Sequence, residues 1–445
     1  MIKFPAKGRQ RTELLNKMKT FKAQDADWNR GKTWSLVYYA GEEITEFVKE
    51  AYLLFFHENG LNPLAFPSLR TLETEVISMT ADLFHGDDNC AGSLTSGGSE
   101  SILMAVKTYR DLARRLHPEI TKPELLLPVS AHPAFEKAAH YFDVKPVHIP
   151  LTGEYKADLE AAKELVSENT ILIVGSAPAY PHGVVDPIEE LAGLAQSKGI
   201  PLHVDACLGG FILPFVKELG YRVPEFDFKV PGVTSISADL HKYGFASKGV
   251  SAIIYKNKDI RQFQYFAYES WPGGLFASPT ALGTRPGGAI ASAWAVLNFL
   301  GREGYLKNAG DIMKTTRALI DGIKAIPELY LLGEPEASIF AVSSDRLNLG
   351  IVSELMTRKG WHMDLQQYPQ SLHFMVTPAH EGVVEEFLSE LGASVREALK
   401  VQVQAGSSNS AFYGLEGSLP EGVNVKEYLV HMLNELMSVA PQSEV

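Results

Sequence analysis

The chain has 445 residues, with 45% hydrophobic and 21% charged side chains, proportions that exclude a largely disordered protein. Its formal charge of −12 argues against general nucleic-acid binding, which rests on phosphate neutralisation; an anionic substrate is allowed only if the site brings its own cations. Two cysteines, Cys90 and Cys207, imply no disulfide framework and point to a reducing, cytoplasmic setting.

Residues 1–60 read as a helical N-terminal segment. The opening MIKFPAKGRQRTELLNKMKTFK is basic but has no apolar centre or cleavage site, so it is not a secretory signal. A helix packed on the domain or on a partner subunit is expected there, with contact to a membrane surface as the other option. From 61 to 295, apolar runs at 125–129, 147–149, 171–174, 201–204, 234–237 and 250–255 alternate with amphipathic segments at 100–116, 157–167 and 188–197. Val- and Ile-rich runs separated by helices predict a large α/β domain with a mostly parallel, doubly wound sheet covered on both faces. The pattern then changes. Helices are expected at 289–301, 309–325 and 381–400, and strands at 330–332, 338–342 and 372–376, giving a smaller α+β domain over 296–445. The apolar stretch at 289–300 contains Asn298 and falls short of the ~20 residues of a membrane-spanning helix, so no transmembrane segment is expected.

Four segments carry groups with chemistry. Ser93-Leu94-Thr95-Ser96-Gly97-Gly98-Ser99-Glu100-Ser101 stands just before an amphipathic helix. Gly97 and Gly98 let the backbone approach a ligand, and the helix N-terminus favours an anion, so a phosphate cradle is expected; a glycine turn with a serine N-cap fits equally well. In His203-Val204-Asp205-Ala206-Cys207, Asp205 falls at the carboxyl edge of the sheet, where such folds place ligand contacts, or else caps a turn. Residues 203, 205 and 207 share a strand face, but Asp and Cys prefer different metals, so no metal site is expected. Asp239-Leu240-His241-Lys242 follows another strand, and Lys248 comes shortly after. A lysine serving as an amine nucleophile must be partly desolvated so that its pKa falls; most lysines are simply solvated. Residues 271–288, rich in Gly and Pro and including Ser278 and Gly287, read as a long irregular loop, which inside a compact domain is usually functional.

These signals fit one cofactor. Pyridoxal phosphate needs a phosphate cradle, a carboxylate for its pyridine nitrogen and a lysine for the Schiff base, and Gly97-Gly98, Asp205 and Lys242 supply them in that order. His132, following a strand in Ser130-Ala131-His132-Pro133, is the candidate for stacking on the ring, unless its role is structural.

The runs HVDACLGGF, TSISADLHKYGFASKG, GGLFASPTALGTRPGG and SAPAYPHGVVDPI resemble the soluble bacterial type of sphingosine-1-phosphate lyase, within the group II pyridoxal-dependent decarboxylases. The likeness extends from about Lys32 into the C-terminal domain. It implies an aspartate-aminotransferase-like fold (fold type I) and a homodimer with shared active sites. It also implies that Lys242 is the Schiff-base lysine, that Asp205 pairs with the pyridinium nitrogen and that His132 stacks on the ring. Gly97, Gly98 and His241 would hold the cofactor phosphate, joined by Ser278 or Gly287 from the partner subunit. Lys248 would bind the substrate phosphate, with Tyr38 reaching in from the other chain, and Tyr180 would lie near the reacting carbons. Asn62 stands where the family often has a histidine, shortly before Phe66-Pro67; either it donates a hydrogen bond to the phosphate or that contact is lost. The eukaryotic lyases carry an N-terminal membrane anchor that this sequence lacks, so a soluble chain is expected.

The implied reaction is retro-aldol cleavage of the C2–C3 bond of a phosphorylated sphingoid base, giving a long-chain aldehyde and phosphoethanolamine. Tyr180, Lys242 and a phosphate are the candidates for moving the proton. An amino-acid decarboxylase with the same Asp-His-Lys constellation is the alternative, and an inactive scaffold a third reading. Lys248 and Tyr38 separate the first two, because a lyase needs cations and donors for a phosphate.

Overall fold

The computed structural model describes residues 3–23, 25–400 and 424–438. The stretches 401–423 and 439–445 of the expected C-terminal domain lie outside them. The large sheet has seven strands: β1 (Ala91–Thr95), β2 (Glu124–Pro128), β3 (Lys145–Ile149), β4 (Thr170–Ser176), β5 (Leu202–Asp205), β6 (Val233–Ala238) and β7 (Ser251–Tyr255). Their order is β1-β7-β6-β5-β4-β2-β3; β7 is antiparallel to both neighbours and the remaining pairs are parallel. Alternation explains the continuous apolar runs. Leu125 and Leu127 of β2, with Leu172 and Val174 of β4, pack into one core, while Leu126 and Ile173 point into the other. Every residue of β4 is buried.

Among the N-terminal elements, the helix Arg11–Lys22 buries none of its residues. The helices Glu42–Leu54 and Pro67–Leu83 pack against Gly287–Lys324. That long helix crosses the expected boundary at 295/296, and its helical dihedrals break at Gly301 (φ 54°, ψ −173°). The irregular loop before it contains a short hairpin, β8 (Phe266–Tyr268) with β9 (Phe276–Ser278). The small sheet is antiparallel, in the order β10 (Tyr330–Leu331), β11 (Ile339–Ser343), β13 (Ser371–Met375), β12 (Asp364–Gln366). An aromatic cluster locks the N-terminal segment onto it. Trp34 is fully buried, stacks on His380 at 4.3 Å, and meets Phe374 and Phe387 edge-on. The Met375 N–H donates to the Trp34 carbonyl at 2.8 Å.

Four buried imidazoles give this fold an acid limit. Burial pushes His182, His203, His373 and His380 each down to about 4. Unfolding returns them to about 6.5, so between those values the unfolded state binds protons that the folded state refuses. Stability is therefore complete above about pH 6.5 and is lost as pH falls toward 4. Asp186, which burial raises to about 6, opposes this over part of the window, one group against several. The urea midpoint should be lower at about pH 5 than at about pH 7.5; equal midpoints would refute the account.

Candidate active site

The carboxyl ends of the strands converge on one cavity of ≈ 160 Å³. β5 ends on Asp205, β6 leads into Asp239–Lys242, β4 into Tyr180 and β2 into His132. This is the edge where open α/β sheets bind ligands. Tyr38, His132, Tyr180, Asp205, Lys242 and Lys248 all line the cavity, with Ser35, Cys207 and Met375. Volume alone would not have chosen it. A larger cavity of ≈ 830 Å³ lies elsewhere, walled by Arg70, Glu73, Arg261, Arg285 and Ser278. The groups suited to covalent and proton chemistry are gathered in the smaller one.

Lys242 reaches 2.8 Å from Asp239 Oδ2, and that carboxylate is almost wholly buried. Burial alone would lower the lysine pKa, but Asp239, with help from Asp205, holds it above the ordinary range. The expected fall is thus corrected: desolvation is present, and a carboxylate three residues earlier outweighs it. Asp239 Oδ1 is buried with no hydrogen-bond partner. It faces Gly98, where an added Cβ would lie 2.9 Å from Oδ1 and 2.9 Å from Cys207 Sγ. A Cβ on Gly97 would stand 3.3 Å from His241 Cε1. The two glycines therefore let the N-terminus of the helix Gly98–Leu116 approach Asp239, Cys207 and His241 closely.

Asp205 accepts from the Cys207 N–H at 3.0 Å and the Ser237 hydroxyl at 3.1 Å, both through Oδ1, which leaves Oδ2 for a ligand. His203, considered as a metal ligand, is instead engaged with Ser235 and Ser237 inside the sheet. His132 accepts from the Ala134 N–H through Nδ1 at 3.1 Å; burial lowers its pKa, so it is neutral and free to stack. Burial takes His241 down to about 4, so its ring also enters as a neutral group. At the mouth, the exposed Lys248 lies 5.0 Å from the centre of the Tyr38 ring and donates to the His241 carbonyl at 3.3 Å. Partial burial of its ammonium and then the charge of Lys242 bring its pKa down to about 8.

Tyr38, expected to reach in from the other chain, lines the cavity of its own chain. The buried Trp34 four residues earlier fixes the segment against β13, and the Tyr38 hydroxyl reaches Met375 Sδ at 3.0 Å. Of the expected residues, Gly97, Gly98 and His241 cluster around Asp239 without lining the cavity itself, and three others stand apart from it within one chain. Ser278 is buried at the end of β9, with its hydroxyl donating to the Thr280 and Leu282 carbonyls. Gly287 begins the long helix against the Glu58 carbonyl. Asn62 turns its side chain to the backbone N–H groups of Leu64 and Ala65. Sequence reasoning assigned no role to Asp239, although its position three residues before Lys242 was a usable signal. Asp364 and His373 belong to the small sheet, His362 lies just before it, and sequence reasoning gave none of them a role.

Known proteins align with this arrangement. Residues 16–343 match the pyridoxal-dependent decarboxylase conserved domain. The sphingosine-1-phosphate lyase of Oryza sativa subsp. japonica is 45% identical over 431 residues, covering 95% of this chain and 79% of that protein. Sphingosine-1-phosphate lyase 1 of Rattus norvegicus is 42% identical over 443 residues, covering 99% and 78%. Among solved structures, a sphingosine-1-phosphate lyase of Burkholderia pseudomallei superimposes with a TM-score of 0.90 at 36% identity, covering 99% of this chain and 98% of that one. The lysine, the carboxylate and the glycine-bearing helix start fit the cofactor which that domain is named for, and the chain belongs to the pyridoxal-dependent decarboxylase family, among its sphingosine-1-phosphate lyases.

Proposed function

We propose that the protein is a pyridoxal-phosphate-dependent lyase that cleaves the C2–C3 bond of a phosphorylated sphingoid base, releasing a long-chain aldehyde and phosphoethanolamine. The observation that carries this reading is a second cation, Lys248, at the mouth of a cavity whose floor already holds Lys242 and Asp205. When bound, the cofactor supplies an aldehyde that links to an amine and a cationic ring that takes up the electron pair of the breaking bond. The chain does the rest. Lys242 anchors the cofactor, Asp205 keeps the ring nitrogen protonated through its open oxygen, and His132 stacks on the ring. Gly97, Gly98 and His241 take the cofactor phosphate, where backbone N–H groups at a helix start favour an anion. Lys248 and the Tyr38 hydroxyl hold the substrate phosphate and so orient the scissile bond. On a chain of net charge −12 that local cation matters more, because the overall field repels an anionic substrate. Tyr180 takes the proton of the substrate hydroxyl.

We further propose a homodimer in which Ser278, Gly287 and Asn62 serve the cavity of the partner subunit. Each stands apart from the cavity of its own chain, which supports that assignment. A cytoplasmic setting is proposed on the two free cysteines. Among the described residues, no helix is long and apolar enough to cross a membrane.

Purified, cofactor-saturated protein should release aldehyde from phosphorylated sphinganine and no carbon dioxide from glutamate, aspartate or aromatic amino acids. Carbon dioxide without aldehyde would turn the reading to a decarboxylase. Subunit exchange tests the placement of Tyr38. Mixing an inactive Tyr38→Phe variant with Lys242→Ala should restore no activity, because both side chains belong to one cavity. Rescue would move Tyr38 into the partner's site.

A further inference from the structure

Tyr180 is held by the small sheet, although in sequence it belongs to the large domain. Its hydroxyl donates to Asp364 Oδ2 at 3.1 Å. Its ring stacks on His373 at 4.2 Å between centroids, and the His373 Nε2 bonds to the Tyr180 carbonyl at 2.8 Å. Asp364 and His373 are directly opposed across β12 and β13, so one cross-strand pair fixes both the ring and the hydroxyl. Asp364 is 3% exposed and lies between the cavity phenol and His362, whose side chain is 37% exposed. The His362 Nε2 stands 3.6 Å from Asp364 Oδ1, an ion-pair separation and not a hydrogen bond. The other groups beside Asp364 are Ser35, His373 and Tyr38.

We propose that Asp364 is a positioning residue for Tyr180 and the acceptor of its phenolic proton, so that the base acting on the substrate hydroxyl is the Tyr180–Asp364 pair. The inference rests on the lyase reading above and deepens it. A neutral phenol alone is a weak base. With its proton already directed at a carboxylate, Tyr180 turns an oxygen lone pair toward the cavity. The substrate hydroxyl proton passes to Tyr180 Oη as the phenolic proton passes to Asp364 Oδ2. The C3 oxygen becomes the aldehyde oxygen, the C2–C3 bond breaks, and its electron pair stays with the amine-bearing fragment. The same two hops in reverse return the proton to C2 after the aldehyde leaves. Burial alone would make Asp364 a poor anion, but His362, with His373 and Ser35, holds its pKa below the usual carboxylate value, so it waits in the charged, accepting form.

Asp364→Asn tests this, because the amide keeps the size and an acceptor oxygen but cannot take the proton. It should lower kcat by about tenfold or more, within the range of general-base losses, and leave KM within about threefold. Added to Tyr180→Phe, it should cost less than about twofold more, as expected of two groups acting as a unit. Asp364→Glu should recover part of the rate. Wild-type kcat in Asp364→Asn, or multiplicative losses in the double variant, would overturn the proposal. A readout independent of turnover is histidine NMR of the cofactor-free protein. The Asp364 carboxylate raises the His362 pKa, so Asp364→Asn should move that midpoint down. If the wild-type protein cleaves no phosphorylated base, the lyase reading falls. Asp364 is then judged by that titration alone, where an unmoved midpoint would show that the carboxylate is not poised as described.

Discussion

Replacing Lys242 with alanine is expected to reduce turnover by roughly 10⁴-fold or more and to leave added pyridoxal phosphate with the spectrum of the free aldehyde. The expectation follows from the place of this lysine in the cavity. It is the cavity lysine that pairs directly with a buried carboxylate, 2.8 Å away, and it lines the cavity together with Asp205. The variant has a second consequence. Removing the ammonium leaves Asp239 buried and unpaired, and breaking such a pair costs about 3–5 kcal/mol. Lys242→Ala should therefore unfold at lower denaturant than the wild type, which could confuse a loss of chemistry with a loss of fold. Lys242→Arg separates the two. It restores a cation beside Asp239, so the midpoint should recover while activity and the shifted absorbance stay absent. Wild-type absorbance in either variant would remove Lys242 from its role.

The parts of this site that were legible in the sequence are those whose signal is local. Asp205 and Lys242 each end or follow a Val- or Ile-rich run, so placing the strands placed them on one edge of the sheet. Gly97 and Gly98 open a strongly amphipathic helix, and Tyr180 sits in a recognisable run. Strand β1 was not legible, because AGSLT has little apolar pattern. Its Gly92 is required by crowding, since a Cβ there would lie 2.5 Å from the Ile253 carbonyl oxygen. The hairpin β8–β9 was hidden in a Gly- and Pro-rich stretch that reads as loop. The place of Tyr38 in the cavity of its own chain was not legible, because its position depends on Trp34 entering an aromatic cluster built by residues 361 to 387, more than three hundred positions away. Asp364 was missed for the same reason. Its meaning comes from Tyr180, and no spacing rule joins two residues that meet only when the small sheet closes on the cavity. The direction of the Lys242 pKa was misjudged for a different cause. Burial was weighed alone, while Asp239, in plain view three residues earlier, sets the outcome.

Lys248 should decide which substrate the cavity accepts. Lys248→Ala is expected to lower kcat/KM for a phosphorylated sphingoid base by roughly 10- to 100-fold, the worth of a charge-assisted bond to phosphate, with the cofactor absorbance unchanged. On the same base without its phosphate, variant and wild type should perform alike, because the missing cation then has nothing to hold. The pH dependence carries its own sign. The Lys248 pKa is brought down to about 8, so the free protein presents the charged ammonium below that value and loses it above. KM for the phosphorylated base should therefore rise as pH climbs through about 8, by roughly tenfold per pH unit at most, and this dependence should vanish in Lys248→Ala. Lys248→Arg, which stays charged throughout, should flatten the profile while keeping part of the affinity. If Lys248→Ala cleaves the phosphorylated base normally, with the same pH profile as the wild type, the substrate phosphate is held elsewhere and the argument from the second cation is lost.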